Sequence, residues 1–252
     1  MSLPQPLRLL RAQSRRARLL WPVSALALGL MVPNIAAAQR TPPADPHSLA
    51  PYMVPAANTP ARPDADGFIR RWLLLEPIEK PNRSNTGFTS AYVRKAFAED
   101  YFPDQFSILP RDGQVVQAGK PLRWHAYDAQ MFDVKLFNFA QALGKPTYGV
   151  IFWAVTTVDA PRDMTVRMAV GSNSASMWWL NWKEAVGLFG DRRMVMDDVV
   201  SQPVTLRKGR NVIRGAVING PGLSDFCLRF IDDQRQPIRD LTITLPSNGS
   251  AS

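Results

Sequence analysis

The sequence is poor in the side chains that metal and redox sites use most. It contains one cysteine, Cys227, and two histidines, His47 and His125. A single cysteine excludes an intramolecular disulfide. Because its neighbours from Phe226 to Phe230 alternate like a strand, we predict a buried, unreactive thiol.

Sequence motifs for catalysis are missing as well. The chain has no G-x-S-x-G turn, no H-E-x-x-H, no C-x-x-C and no glycine-rich phosphate loop. We therefore assign no catalytic residue, no metal ligand and no cofactor. His125 is the one side chain that merits a test as an acid or base. A glycosidase with two carboxylates stays open, since its acids need to meet only in space.

The apolar run near the N-terminus is short for a membrane span. It extends from Leu19 to Val32, follows five arginines without an acid, and precedes Ala36-Ala37-Ala38. This layout predicts a signal peptide over 1–38, hence a periplasmic or secreted protein with no membrane span after signal cleavage. Both the general secretory and the twin-arginine routes remain open.

The net charge gives no reason to expect nucleic acid as a partner. The formal charge is +9, but the signal peptide would remove five arginines and no acid. No cluster of Lys or Arg beside aromatic residues remains in the rest of the chain, so we predict no nucleic-acid binding. The basic turn from Arg207 to Asn211 is interpreted as a solvated rim.

The remaining chain divides into an arm, one domain and a tail. Seven prolines among small and polar residues predict a disordered N-terminal arm or linker over 39–66. The folded domain is expected over 67–246, and a disordered tail rich in Ser, Asn and Gly over 247–252.

Short strands at regular spacing predict an all-β domain, a jelly-roll β-sandwich with one short helix. The helix is expected from Thr89 to Asp100, with Thr89 as its cap. The apolar run from Tyr148 to Thr157 predicts a central strand covered on both faces. The other strands are expected at 68–75, 121–126, 134–139, 164–170, 177–181, 199–206, 211–218, 226–231 and 241–245.

Two turn phrases centred on asparagine narrow this prediction. They read GSNSASMWWLNWKEAV, from Gly171, and LRKGRN, from Leu206. They resemble "GSDDG-x-x-VWLNGK-x-V" and "L-x-KG-x-N" of the galactose-binding-like jelly rolls found beside glycoside hydrolases and carbohydrate esterases such as acetylxylan esterases. The resemblance implies a sandwich of that kind. Asn173 and Ser174 replace the paired acids of family members that bind a cation through this turn, which weakens the case for calcium.

Aromatic residues near these phrases are the candidate ligand contacts. Trp182 replaces the glycine of the family phrase, so its ring is expected to stand partly exposed at a turn, where it could stack on a sugar. The alternative is a ring that folds over the edge of the sandwich as packing. Trp178 and Trp179 must point to opposite faces of a strand. The candidate ligand-binding residues are Trp182, Trp179, Asn181, Lys183 and Asn219, the last because its Gly/Pro-rich loop suits a binding loop.

These observations favour an exported, non-catalytic carbohydrate-binding or accessory module whose partner is a polysaccharide or another glycan. Two alternatives remain. One is a glycan-active enzyme, an acetyl esterase or glycoside hydrolase, which requires converging acids or a triad around His125. The other is a structural module of the cell envelope with an envelope protein as partner, which requires a broad apolar patch.

Overall fold

The computed structural model describes residues 49–81, 87–190, 193–219 and 222–246. The predicted signal peptide (1–38), the start of the predicted arm (39–48) and the predicted tail (247–252) lie outside these residues. In the part of the chain that is described, no helix is long and apolar enough to cross a membrane.

The described residues form strands and two short helices. The helices are α1 Ser90–Ala98 and α2 Leu136–Ala142. The strands are β1 Met53–Pro55, β2 Arg71–Leu75, β3 Ile78–Glu79, β4 Val115–Gln117, β5 Pro121–Ala129, β6 Val150–Ala160, β7 Met164–Ser172, β8 Ala175–Leu180, β9 Lys183–Leu188, β10 Val199–Val200, β11 Val204–Leu206, β12 Gly209–Ile218, β13 Phe226–Ile231 and β14 Thr242–Thr244.

The strands pair into two antiparallel sheets. The main path of the larger sheet runs β1-β5-β2-β6-β12-β8-β9, with β3 and β14 paired to β6 and β4 paired to β5. The smaller sheet has the order β10-β7-β11, and β13 also pairs with β7. The prediction of an all-β sandwich is confirmed.

Strand β6 forms the centre of the larger sheet. It pairs with β12 over ten residues, from Ile151 opposite Ile218 to Ala160 opposite Gly209. All its residues are buried except the half-buried Asp159. Because side chains alternate along a strand, β6 contributes to two separate cores, as expected for a strand covered on both faces.

The two cores lie on opposite faces of the larger sheet, so the domain has three layers. On one face, Phe152 of β6 packs with Met168 of β7 and Phe230 of β13, which belong to the smaller sheet. On the other face, Trp153 packs with Phe97 of α1 and with the segment that follows this helix. The third layer was not predicted from the sequence.

One helix agrees with the prediction and the other replaces a predicted strand. Helix α1 begins after Thr89, whose hydroxyl accepts a hydrogen bond from the Tyr92 amide at 3.2 Å. The strand predicted over 134–139 is wrong, because α2 occupies most of it. Leu136, Phe139 and Ala140 are buried at helical spacing. A short apolar segment of this kind also fits a strand, which is why a strand was predicted.

The described part of the predicted arm packs on the domain. Leu49 and Met53 are buried in the core between the sheets, and β1 pairs with β5. Ala61 also exchanges two backbone hydrogen bonds with Ile243, of 2.9 and 2.8 Å. Residues 49–66 are therefore ordered, in contrast to the expected disordered arm. A few well-placed apolar side chains and strand hydrogen bonds offset the ordering cost of a Pro-rich segment.

The packing of this segment predicts a large effect from one substitution. Met53→Ala is expected to lower the free energy of unfolding by about 2 kcal/mol or more, because it leaves a cavity in the core. Val54→Ala, at the exposed neighbour on the same strand, is the matched control and should change it by less than about 0.5 kcal/mol. Chemical denaturation measures both, and a similar small effect of the two would contradict the packing of β1.

Candidate functional site

A two-residue turn joins β8 to β9 and forms one wall of the candidate site. Leu180 pairs with Lys183, so Asn181 and Trp182 make up the whole turn. Their φ angles are 48° and 68°. Positive φ at both central residues defines a type I′ turn, which suits the twist of a hairpin and favours Asn followed by Gly. A tryptophan at the second position costs about 1–2 kcal/mol of backbone energy.

Side-chain hydrogen bonds between two asparagines hold this turn. Asn181 donates through Nδ2 to Oδ1 of Asn211 at 2.8 Å and accepts from the Val212 amide at 2.8 Å. Asn211 is buried and also accepts from the Arg207 amide at 2.9 Å, while its Nδ2 donates to the carbonyls of Arg207 and Gly209. The two asparagines of the family resemblance thus bind each other and fix two turns. The side-chain amide of Asn181 is therefore already hydrogen-bonded within the protein.

The three neighbouring tryptophans have three different environments. Trp182 is 58 % exposed. Trp178 is buried, and its ring packs directly on Gly215. A Cβ atom at that glycine would lie 2.2 Å from the ring. Trp179 points to the opposite face of the sheet, is half-buried and stacks on Trp153 with ring centroids 5.7 Å apart. The predicted placement of Trp178 and Trp179 on opposite faces is confirmed, and Trp182 is the exposed ring.

A groove of about 710 Å³ opens beside the turn, and we call it the hairpin groove. It lies between the β8–β9 turn, strand β11 and the β11–β12 turn. Its volume falls in the range of small-ligand sites. Its apolar lining is Leu109, Leu180, Ala185, Pro203, Val204 and Val212, and its polar and aromatic lining is Asn181, Trp182, Lys183, Glu184, Thr205, Arg207 and Arg210.

The rim of the hairpin groove is mainly basic. Lys183, Arg207 and Arg210 are exposed and face a single acid of the lining, Glu184. Among the described residues, none of the three cations takes part in an ion pair. Of the predicted ligand contacts, the groove brings together Trp182, Asn181 and Lys183.

The other charged residues of this groove were not predicted as ligand contacts from the sequence. Glu184 belongs to β9, a strand that was not predicted, because Lys183 and Glu184 look like the continuation of a turn. Arg207 and Arg210 were interpreted as a solvated rim. The available signal was that each asparagine phrase contains a turn. Antiparallel neighbours such as β8 and β12 bring the turns at their ends together.

A second, smaller groove lies on the other side of β9, and we call it the aromatic groove. It has a volume of about 350 Å³ and is lined by Arg94, Phe97, Ala98, Phe106, Met177, Trp179, Glu184 and Phe189. The guanidinium carbon of Arg94 lies 3.6 Å from the centroid of the Phe189 ring. Trp179 therefore belongs to a different groove from Trp182, and Glu184 lines both.

The buried Arg214 positions the segment that contributes to both grooves. It is 2 % exposed, and its guanidinium donates to the carbonyls of Phe106 and Ile108. Burial lowers the pKa of Arg214 to about 10, which leaves it charged at neutral pH. Because Phe106 lines the aromatic groove and Leu109 the hairpin groove, this contact fixes a wall of each.

Asn219 does not line the hairpin groove. It follows the last residue of β12, whereas Asn211 lies near the first, so the two are about 25 Å apart. Asn219 is buried and donates to the carbonyl of Gly222 at 2.8 Å. Asn219 thus lies at the opposite end of β12, which separates this predicted ligand contact from those of the hairpin groove.

A buried ion-pair cluster lies next to the turn that carries cations in the resembling family. The amide of Asn173 donates to the carbonyl of Asp225 at 2.8 Å. Lys135 Nζ contacts Asp133 at 2.6 Å and Asp225 at 3.1 Å. Burial raises the pKa of Asp225, an effect that the Lys135 charge partly offsets. The Lys135 ammonium group thus balances the charge of Asp133 and Asp225. In the described residues, no group of three or more Asp, Glu, His or Cys side chains converges on a metal position.

His125 lies in an ionic cluster away from both grooves. Its Nε2 is 3.3 Å from Oε1 of Glu76, and Lys145 Nζ is 3.1 Å from Oε2 of the same carboxylate. Burial acts to raise the pKa of Glu76, but the hydrogen bonds from Lys145 and His125 outweigh it, so the pKa is lowered. Lys145 and His125 thus hold the Glu76 carboxylate in place.

Three further residues with reactive or acidic side chains, Cys227, Asp197 and Asp233, are held by burial or by ion pairs. Cys227 is buried, as predicted, and burial raises its pKa to about 12, so the thiol stays protonated. Asp197 forms a two-pronged pair with Arg229, through contacts of 3.0 and 2.5 Å. Asp233 pairs with Arg167 at 3.0 Å. None of these lines the hairpin groove.

Comparison with known proteins gives structural matches alone. No protein-family model matches the chain, and no curated protein matches it in sequence. Among solved structures, it is similar to the PA14 sugar-binding domain of an RTX adhesin, with a TM-score of 0.41 and 10% identity over 71% of this chain and 100% of that domain. It is similar to the PA14 domain of the antifreeze protein MpAFP, with a TM-score of 0.35 and 9% identity over 77% and 100% of the two chains.

A third similar structure is a β-glucosidase from Kluyveromyces marxianus in complex with glucose. The TM-score is 0.34 and the identity 14%, over 64% of this chain and 16% of the enzyme. Similarity at these levels carries no argument about ligand or activity. The matched domains are of the PA14 type and not specifically galactose-binding-like, so the narrower family resemblance stays a hypothesis.

The strained turn predicts that one substitution stabilises the protein. Trp182→Gly places the residue that best tolerates positive φ at this position, and little packing is lost because the ring is mostly exposed. The free energy of unfolding is expected to rise by up to about 1 kcal/mol. Chemical denaturation measures the change. A clear loss of stability would show that the ring packs against the groove wall.

Proposed function

We propose that this protein is an exported carbohydrate-binding module and that its glycan binds in the hairpin groove, with a sugar ring stacked on Trp182. The observation that carries the proposal is the environment of Trp182. A large apolar ring stands exposed at a position where its backbone conformation is unfavourable and where glycine would cost less. Local strain of this kind, held by its surroundings, is typical of binding sites.

The chemistry of the groove supports a sugar ligand. Sugars present apolar C–H faces to aromatic rings and hydroxyl groups to polar side chains. The hairpin groove combines the Trp182 ring with an apolar wall that includes Leu180 and Val204, and with polar groups such as Thr205. This mixture of an apolar surface and a few polar groups is the usual composition of small-ligand sites.

Binding without catalysis fits this groove better than hydrolysis. A glycoside hydrolase acting by the usual mechanism needs two carboxyl groups on either side of the bond it cleaves. The lining of the hairpin groove contributes one, Glu184. His125, the proposed centre of an esterase triad, is paired with Glu76 and lies outside the groove. These arrangements favour an accessory role over an acetyl esterase or glycoside hydrolase.

The proposal of export rests on the sequence of the first 38 residues. Their basic region, apolar stretch and Ala36-Ala37-Ala38 favour cleavage before Gln39 and a periplasmic or secreted location. Polysaccharides are accessible to a protein in either place, so this location agrees with a glycan ligand.

Two tryptophan variants test the proposed site. Trp182→Ala is expected to weaken glycan binding several-fold, since stacking on an aromatic ring contributes about 1 kcal/mol, while the unfolding midpoint stays close to that of the wild type. Trp179→Ala is the matched control in the other groove. It should leave binding unchanged and reduce stability, because its ring packs on Trp153 and Phe106. Isothermal titration calorimetry against a panel of polysaccharides, paired with thermal unfolding, measures both.

The opposite pattern would contradict the proposal. If Trp182→Ala bound a polysaccharide as tightly as the wild type does, the glycan would not bind in the hairpin groove. Loss of binding in Trp179→Ala alone would move the site to the aromatic groove.

A further inference from the structure

The charges around the hairpin groove distinguish among classes of glycan. Three exposed cations, Lys183, Arg207 and Arg210, line it with one acid, Glu184. A groove for a neutral sugar needs hydrogen-bond donors and acceptors but no excess of positive charge. Like charges that line one groove repel one another, and an anion bound there would relieve that repulsion.

Two other arginines of the described residues bind a carboxylate through both of its oxygens. Arg71 contacts both oxygens of Asp128 at 2.7 Å. Arg229 contacts both oxygens of Asp197. The groove cations, in contrast, have no ion pair within the described residues, although Glu184 lines the same groove. Their guanidinium and ammonium groups are therefore available to a ligand.

The backbone beneath these cations is fixed. Arg207 lies in the β11–β12 turn and Arg210 is the second residue of β12. Asn211 binds the amide and carbonyl of Arg207 and the carbonyl of Gly209. Lys183 follows the turn held by Asn181. Cations on ordered turns lose less entropy on binding than cations on mobile loops, so the site is partly organised before the ligand arrives.

We propose that the glycan bound in the hairpin groove is acidic, a polysaccharide whose sugars carry carboxylate or sulfate groups. This inference rests on the proposed function. The sugar ring stacks on Trp182, and its anionic group is bound by Arg207 and Arg210, with Lys183 as a third cation. The guanidinium group suits both anions because its fork of N–H donors matches two oxygens of a carboxylate or sulfate. Glu184 excludes the anionic group from its own side of the groove.

A pair of polymers that differ only in charge tests this inference. Polygalacturonate and its fully methyl-esterified form share one backbone, and calorimetry with the purified protein is expected to give at least about tenfold tighter binding of the charged polymer at low salt. Added salt should reduce this preference, because it screens the charges. Dextran sulfate against dextran is the corresponding pair for sulfate, and the pair with the larger preference identifies the anion.

Variants of one turn provide the internal control. Arg207→Gln and Arg210→Gln should each lower affinity for the preferred acidic polymer about tenfold and leave affinity for its uncharged form unchanged. Folding should be retained, since the contacts of Asn211 within this turn are to backbone atoms and not to the arginine side chains. Lys208→Gln removes the same charge from the same turn at a residue that does not line the groove, so it should change affinity less than about twofold.

The outcomes separate this inference from the proposed function. Equal affinity for charged and uncharged polymers, with both weakened by Trp182→Ala, would overturn the acidic ligand and keep the glycan site. An equal loss of affinity for the acidic polymer in Lys208→Gln and Arg207→Gln would show that general surface charge explains the preference, and it would overturn the inference. Binding to phosphatidylglycerol vesicles but to no polysaccharide would overturn the inference and the proposed function together.

Discussion

The position of strand β12 is the constraint on which the candidate site depends. The strand is paired with β6 on one side and β8 on the other, so it lies within the sheet and not at an edge. Asn211 near its start holds the two turns beside the hairpin groove. Arg214, three residues later, holds the segment that separates the two grooves. The walls of both grooves are thus tied to one central strand, which makes their geometry rigid.

This rigidity explains how an unfavourable backbone conformation persists at Trp182. The turn is closed by the Leu180–Lys183 pair and by the side-chain contact between Asn181 and Asn211. Both contacts would be lost if the chain relaxed, and the buried Asn211 would lose a hydrogen-bond partner, which costs about 1–3 kcal/mol. That cost is comparable with the backbone energy stored at the turn. The turn therefore keeps its unfavourable conformation, and the Trp182 ring stays exposed to solvent.

The sandwich was predictable because most of its strands leave a plain pattern. The apolar run of β6 and the alternation of β13 depend on burial alone, and Thr89 marks the start of α1 by a local hydrogen bond. Helix α2 and the ordered residues 49–66 were not predicted, since both depend on distant partners. At the candidate site, Trp182, Asn181 and Lys183 were predicted as ligand contacts from the first asparagine phrase. Arg207 and Arg210 come to the groove through strand pairing, which local sequence does not reveal.

The separation of framework and rim in the hairpin groove has a consequence for how ligand preference changes. The turn geometry depends on the hydrogen-bonded side-chain amides of Asn181 and Asn211, whereas Lys183, Thr205 and Arg207 offer the groove only their exposed side chains. Substitution at these three positions leaves the hydrogen bonds of the framework intact. The ligand preference of the proposed site is therefore free to drift, or to be redesigned by a small side-chain library, without loss of the fold. The one exception is Trp182, where the proposed stacking on a sugar and better stability call for different residues.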